Sequence, residues 1–299
     1  MSKTTYSKPP LSYQEQIEQL ISRGLIIENK AKAQHLLENI SYYRLSGYWY
    51  PLLSDKKAHI FKPDATLENA FNLYCFDREL RQLVLAELEK IEVAVRAKIS
   101  YIMSHKHGAF WFQNQSIFQN PIKHAETLTK IGTEFDRSDE EFIHAFKNSY
   151  NNQLPPSWMM MEITSFGAMS QLYKNLKPGK EKRDIAHYFG LADSVFVTWL
   201  HSIVYLRNVC AHHTRLWNRA MSIRPQIPIS PQKTWLKTTN IPNNRSYFIL
   251  SMLAFLLQTV NPHNRFVQKF KLLLIKYPNV DTKALGFPVH WQEETLWTN

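Results

Sequence analysis

Acidic side chains are missing from a long part of this chain: between Ser194 and Val280 there is neither Asp nor Glu. Cysteine is almost as scarce. Cys75 and Cys210 are the only two, too few for a disulfide framework or a cysteine zinc site. Glycine numbers only 8 in 299 residues, and no GxGxxG or GxxxxGK-Ser/Thr run occurs, which excludes the usual phosphate-cradling loops. Long apolar runs are lacking too. Tyr247 to Val260 is the most apolar segment, and it falls short of the roughly 20 residues that span a bilayer. A buried helix is expected there, with no membrane partner. No secretory pattern opens the sequence, so a cytoplasmic location is expected. Neither a clear strand alternation nor an internal repeat is found, and the expected fold class is all-α.

What is present is aromatic, basic and helical. Hydrophobic residues make up 44% and aromatic residues 13% of the chain, enough for a folded core. Short helices are expected over 12–22 and 30–38, with a break at Gly24 and Asn29. The stretch Ser41 to Pro51 packs five aromatics around Arg44. It reads either as aromatic core or as a surface on which unpaired bases stack. Over 67–104, Leu80, Val84, Leu88, Ile91, Val95 and Ile99 recur at three- and four-residue steps, which predicts one long amphipathic helix. Asp77–Arg81 and Glu92–Arg96 lie on its polar flank as i,i+4 pairs. The acidic run 134–141 reads as an exposed helix–helix connection. A helix from about 158 to 176 with Ser157 or Thr164 as a candidate cap, one over 181–190 closed by Gly190, and two more over 245–259 and 264–276 complete the expectation. The segment 222–244 holds four prolines and no acid. It reads as an extended basic loop, able to lie along nucleic acid or simply to cross the surface.

The stretch that carries chemistry is Asp193 to Arg219. Asp193 or Ser194 is a candidate N-cap, and Val195, Phe196, Trp199, Leu200, Ile203 and Leu206 form an apolar stripe. Arg207-Asn208-Val209-Cys210-Ala211-His212-His213 follows. Projected on an ideal helix, Arg207 falls inside the stripe, where a permanent cation needs a partner or an anion-accepting pocket. The histidines titrate near neutral pH. The acid-free segment holds 11 of the 36 lysines and arginines, and the other 25 are matched by the 25 acids, so the whole +11 excess lies in it. Charge runs are commonly just solvated surface. An acid-free span of this length points instead to a polyanion, RNA or DNA.

An Arg with a His suits metal-free RNA cleavage. The guanidinium binds the phosphate and its developing charge, and imidazole moves the protons. Arg207 and His212 are about 140° apart on an ideal helix. The helix therefore has to end near Ala211, or a second copy across a twofold axis has to supply the missing groups. His212 is the candidate acid/base, and His213, nearer the apolar face, is expected to pack. Glu92 is the candidate to orient Arg207 or a histidine; its alternative is a surface ion pair with Arg96. Cys210 beside a histidine is a possible nucleophile, but in mid-stripe an inert packed thiol fits better. His105 and His107 give a weak metal signal without further ligands, so neither metal nor cofactor is expected.

Four blocks in fixed order carry a resemblance: YYRLSGYWYPL (42–52), LYCFDRELRQLVLAELEKIEVAVRAKI (73–99), SFG (165–167) and LRNVCAHHTRLWNR (206–219). They resemble the Abi-like abortive infection proteins of bacteria, of the AbiD/AbiF type. The resemblance implies the HEPN superfamily, whose helical bundle carries an R-x4-6-H signature with a polar residue after the Arg. Arg207, Asn208 and His212 match it. It further implies a metal-independent endoribonuclease acting as a homodimer on RNA in phage defence, held in check in some members by a small non-coding RNA. Other HEPN domains only bind RNA, and that is the alternative. On this basis residues 1–65 form an N-terminal helical extension, 66–220 the HEPN-like core, and 221–299 the basic loop with C-terminal helices packed on the core. Arg207, Asn208, His212 and Glu92 are the expected catalytic set, and Arg44, Arg215, Arg219, Arg224, Lys233 and Lys237 the expected RNA contacts.

Overall fold

The structure is a computed structural model that describes residues 5, 7–238 and 240–298. Among them the chain is all-α, 63% helical with 13 α-helices and one two-stranded hairpin. In chain order these are α1 (Tyr13–Ser22), α2 (Lys30–Ile40), α3 (Tyr42–Trp49), β1 (Leu53–Asp55), β2 (Ile60–Phe61), α4 (Leu67–His107), α5 (Pro121–Asp136), α6 (Glu141–Ser149), α7 (Ser157–Ile163), α8 (Phe166–Asn175), α9 (Lys180–Tyr188), α10 (Asp193–Ala211), α11 (Ser246–Val260), α12 (Phe266–Lys276) and α13 (Thr295–Thr298). Two compact units emerge. One takes residues 1–80 and 273–280, the other 81–272 and 281–299. No single helix among the described residues is long and apolar enough to cross a membrane.

In the first unit α1 opens with a capping box, in which Ser12 and Glu15 satisfy each other's backbone amides. α1 packs on α2, and α2 on α3. The aromatic stretch is mostly core. Leu45, Tyr48 and Trp49 are buried, and the Tyr48 hydroxyl donates to Asp77 at 2.7 Å. Tyr43, 89% exposed, points out. The β1–β2 hairpin was not foreseen. Its two strands total five residues, too short for alternation to register, and Asp55 closes the turn by accepting the amides of Lys57 and Ala58.

Helix α4 runs 41 residues. Its stripe from Leu80 to Ile99 is at most 1% exposed. The supposed polar flank is a correction: Asp77 and Arg81 are themselves buried. The connection between α5 and α6 spans only 137–140.

The second unit builds the environment of α10, which packs on α8, α9 and α11. The single helix expected over 158–176 is instead two. The chain extends at Thr164 and Ser165, and Ser165 caps α8 through the Ala168 amide. Sequence periodicity continues across the break, so it left no trace of it. Nor does Asp193 or Ser194 cap α10: Ala192 holds the N-cap position, and Asp193 lies in the first turn.

The segment after α10 is a packed strap rather than a loose loop. Leu216, Trp217, Met221, Leu236 and Ile241 are buried. The Trp235 ring sits against Trp199, Phe248 and Phe255. The Trp199 indole N–H donates to the Gln226 carbonyl at 2.9 Å, and the Gln232 amide donates to the carbonyl of Gly190 at 3.0 Å. Gly190, at φ +79°, leaves room that a Cβ would take up, since one there would come within 3.3 Å of the Phe255 ring. The C-terminal residues close over Tyr247, Phe270, Phe287, Trp291 and Trp297 as one aromatic cluster.

Candidate functional site

Helix α10 stops where its chemistry begins. His213 enters the left-handed region at φ 55°, and its amide donates to Cys210 at 3.1 Å while that of Thr214 donates to Val209 at 2.9 Å. This bond pair terminates a helix, and glycine usually takes the left-handed position. A histidine there costs on the order of 1–3 kcal/mol, and such strain clusters at functional sites. His212 is the C-cap, and its amide still donates to the Asn208 carbonyl at 3.0 Å. The helix thus carries His212 and breaks only at His213.

Arg207 does not sit buried in the stripe, as its projection suggested. Its side chain is 47% exposed, although Leu206, Val209 and Cys210 around it on the same helix are buried. Asn208, His212 and His213 are exposed beside it. His213 is thus not a packed side chain: the helix that would have carried it inward has ended. Cys210 is 1% exposed, buried as a packed thiol.

Glu92 lies beneath Arg207. One carboxylate oxygen is 4.0 Å from Arg207 Nε, and the other accepts from Arg96 NH2. Glu92 thus faces both arginines, and its pair with Arg96 is not the surface pair offered as the alternative, since Glu92 and Arg96 are only 16% and 12% exposed. Arg96 also donates to the carbonyls of Met161 and Thr164. Those carbonyls are free because α7 ends there, and a cation at a helix C-terminus is favourable. The break between α7 and α8 thus supplies acceptors that fix Arg96, Arg96 fixes Glu92, and Glu92 faces Arg207. The contact at 4.0 Å is too long for a hydrogen bond. With Arg207 half exposed it contributes less than about 1 kcal/mol, so the guanidinium remains accessible.

The expected RNA contacts are not equivalent. Arg219 is half-buried and donates to the Tyr205 hydroxyl at 2.8 Å and the Arg215 carbonyl at 3.5 Å. Burial pushes the Tyr205 hydroxyl up, but hydrogen bonds with Ser222 and Arg219 outweigh it and hold the phenol below its usual range. Lys233 donates to the Gln258 carbonyl at 3.3 Å. Arg215 is half-buried, and Arg224 and Lys237 are exposed. Arg44 is exposed on α3 in the first unit.

Sequence reasoning missed Arg96 as a clamp and Tyr205 as the holder of Arg219. Glu92–Arg96 spacing hinted at the first, but its carbonyl partners are 65 and 68 residues away. Among the described residues no group of three or more His, Cys, Asp or Glu could hold a metal ion. His105 Nδ1 lies instead 2.8 Å from the Tyr101 carbonyl.

A family model described as Abi-like protein matches residues 35–218. No curated protein and no solved structure matches the chain. The matched span contains Glu92, Arg96, the α7–α8 break and the whole Arg207–His213 turn.

Proposed function

The chain belongs to the Abi-like protein family, and on that premise we propose that it serves abortive infection, the phage-defence response the family suggests, as a metal-independent endoribonuclease of the HEPN type and the AbiD/AbiF subtype. The observation that carries this reading is the exposed Arg207, Asn208 and His212 at the closing end of α10, with Glu92 held beneath Arg207.

In the proposed reaction the Arg207 guanidinium binds the scissile phosphate and neutralises the charge that grows on its non-bridging oxygens. The neutral imidazole of His212 takes the proton of the RNA 2′-hydroxyl. The 2′-oxygen forms its bond to phosphorus, and the bond to the 5′-oxygen breaks. A second imidazolium donates the proton that the 5′-oxygen acquires. The products are a 2′,3′-cyclic phosphate and a 5′-hydroxyl. The second imidazole comes from His212 of another copy, so the active species is a homodimer with a composite cleft. Asn208 positions the turn and Glu92 aims Arg207. Arg44, Arg215, Arg219, Arg224, Lys233 and Lys237 contact RNA, and a small non-coding RNA bound by the same cations is the proposed regulator.

The test incubates the wild type and His212→Ala with total RNA in EDTA and maps the ends. Cleavage with cyclic-phosphate ends, lost in the variant, is the expected result. Equal cleavage by both proteins overturns the mechanism. RNA bound tightly but never cleaved, even after stripping and refilling, assigns the chain to RNA binding alone.

A further inference from the structure

The first unit contains a cleft of about 420 Å³ to which the proposed cleavage assigns no role. Leu52 and Leu73 provide its apolar lining and Tyr277 an aromatic wall, and Asn69, Asn72 and Asn279 line it with side-chain amides. Asn69 and Asn72 stand three apart on α4, hence on one face. None of the three amides has a hydrogen-bond partner among the described residues. They offer both donors and acceptors to whatever enters.

The charge of the cleft is already spent. Lys276 is the cation that lines it, and its ammonium is held 2.8 and 2.9 Å from the two oxygens of Glu79. The Tyr277 hydroxyl donates to the same carboxylate at 2.7 Å, and its ring meets Phe76 edge-on at 5.9 Å. The aromatic wall is therefore fixed before any ligand arrives, which lowers the entropic cost of binding. No carboxylate lines the cleft. A free phosphate or carboxylate finds no unpaired cation, and an amine finds no anion. What fits is a neutral, flat heterocycle with donors and acceptors along its edge.

We propose that this cleft binds an unpaired nucleobase of RNA, with adenine preferred. An asparagine amide pairs with the N6 and N7 edge of adenine in two parallel hydrogen bonds, and unpaired bases are read by such edge contacts together with aromatic faces. The cleft thereby selects a sequence or a bulged base in the RNA that the chain acts on. Its biological meaning rests on the RNA reading above, but base binding itself requires no cleavage.

Adenosine is the first probe, since it has no phosphodiester to cut. Calorimetric titration of the full-length chain is expected to show saturable binding, at least tenfold weaker in Asn69→Ala/Asn72→Ala and abolished in Leu52→Trp, which fills the cleft. Uridine is expected to bind at least tenfold less tightly, and thermal melts identify which variants are folded. In the His212→Ala background a 12-residue oligoadenylate RNA is expected to bind at least tenfold tighter than adenosine and to lose that gain in the double variant. Absent saturation by adenosine, or binding unchanged in the folded double variant, overturns the site. ATP binding more tightly than the RNA overturns its assignment to RNA. A chain that cleaves nothing leaves the adenosine titration unaffected, so the two readings fail separately.

Discussion

The two ends of the acid-free segment handle their positive charge differently. At the C-terminal end α4 carboxylates meet it. In the second unit Lys269 lies 3.8 Å from Glu87, which is 1% exposed and also accepts from Lys90 at 2.7 Å. In the first unit Lys276 is held by Glu79. At the N-terminal end, around the close of α10, Arg207 has a single carboxylate at 4.0 Å, and that carboxylate is already engaged by Arg96. Arg219 is met by a hydroxyl and a carbonyl, which orient a guanidinium without cancelling its charge. The contrast is carried by Lys276, bonded to both oxygens of Glu79, against Arg207; Lys269 lies 3.8 Å from a carboxylate that Lys90 already holds, much as Arg207 lies 4.0 Å from one that Arg96 holds. An acid-free sequence marks where cations are concentrated; acids brought from elsewhere in the chain decide which of them remain available to a polyanion.

The largest effect should come from the open end. Arg207→Ala or His212→Ala is expected to lower the rate of RNA cleavage by about 10²–10⁴-fold, with stability within about 0.5 kcal/mol of wild type because both side chains are exposed. Single-turnover kinetics paired with thermal melts measure both. A melt that collapses with activity would make the turn structural instead.

Glu92→Ala should reduce cleavage and also destabilise the fold by about 1–3 kcal/mol, because it leaves Arg96 mostly buried without its carboxylate. Urea titration reads this directly, and a wild-type midpoint would show that the carbonyls of Met161 and Thr164 suffice for Arg96. A comparable loss, about 1–3 kcal/mol, is expected for Glu294→Ala. That buried carboxylate accepts the strap amides of Lys237 and Thr238 at 2.7 and 2.9 Å. Hydrogen exchange should show the strap near Lys237 opening first.

Salt dependence of RNA binding sharpens the comparison itself. Removing Arg224 or Lys237 should reduce the slope of log affinity against log salt by about 1 each, whereas Lys276→Ala should leave it unchanged because both oxygens of Glu79 already hold that lysine. Equal slopes for all three variants would erase the distinction between the two ends.

The smallest effect concerns pH. Burial alone would raise the Glu79 carboxyl, but hydrogen bonds from Lys276 and Tyr277 hold it below its ordinary value of 4.5. A depressed folded pKa adds stability that is fully present above that ordinary value and lost as pH falls through the folded one. Glu79→Gln is therefore expected to be less stable than wild type at pH 7 and equal to it at about pH 2. A difference that persists in acid would point to packing rather than charge.

Legibility in the sequence followed the range of the interaction. The α4 stripe could be read because every buried position repeats within one helix, whereas an end of α10 near Ala211 is only one of two ways to reconcile Arg207 with His212. The break at Thr164 and Ser165 could not be read, since Ile163, Phe166, Met169 and Leu172 keep helical spacing across it. Nor could the exposure of Arg207, whose ideal projection puts it among buried neighbours. The basic strap looked loose because proline and polar residues dominate it, yet Trp235, Leu236 and Ile241 anchor it to partners distant in sequence.

By itself the sequence determined the all-α class, the long amphipathic helix, the confinement of the excess charge to one segment, and the order of motif blocks that places the chain in its family. These are properties of residue type and spacing, and spacing along a helix is local. Only the tertiary structure decided that Glu92 faces two arginines at once and that the carbonyls freed by a helix break secure one of them. The meeting of Glu92 with Arg207, and of Arg96 with those carbonyls, joins groups far apart in the chain, which no local pattern encodes.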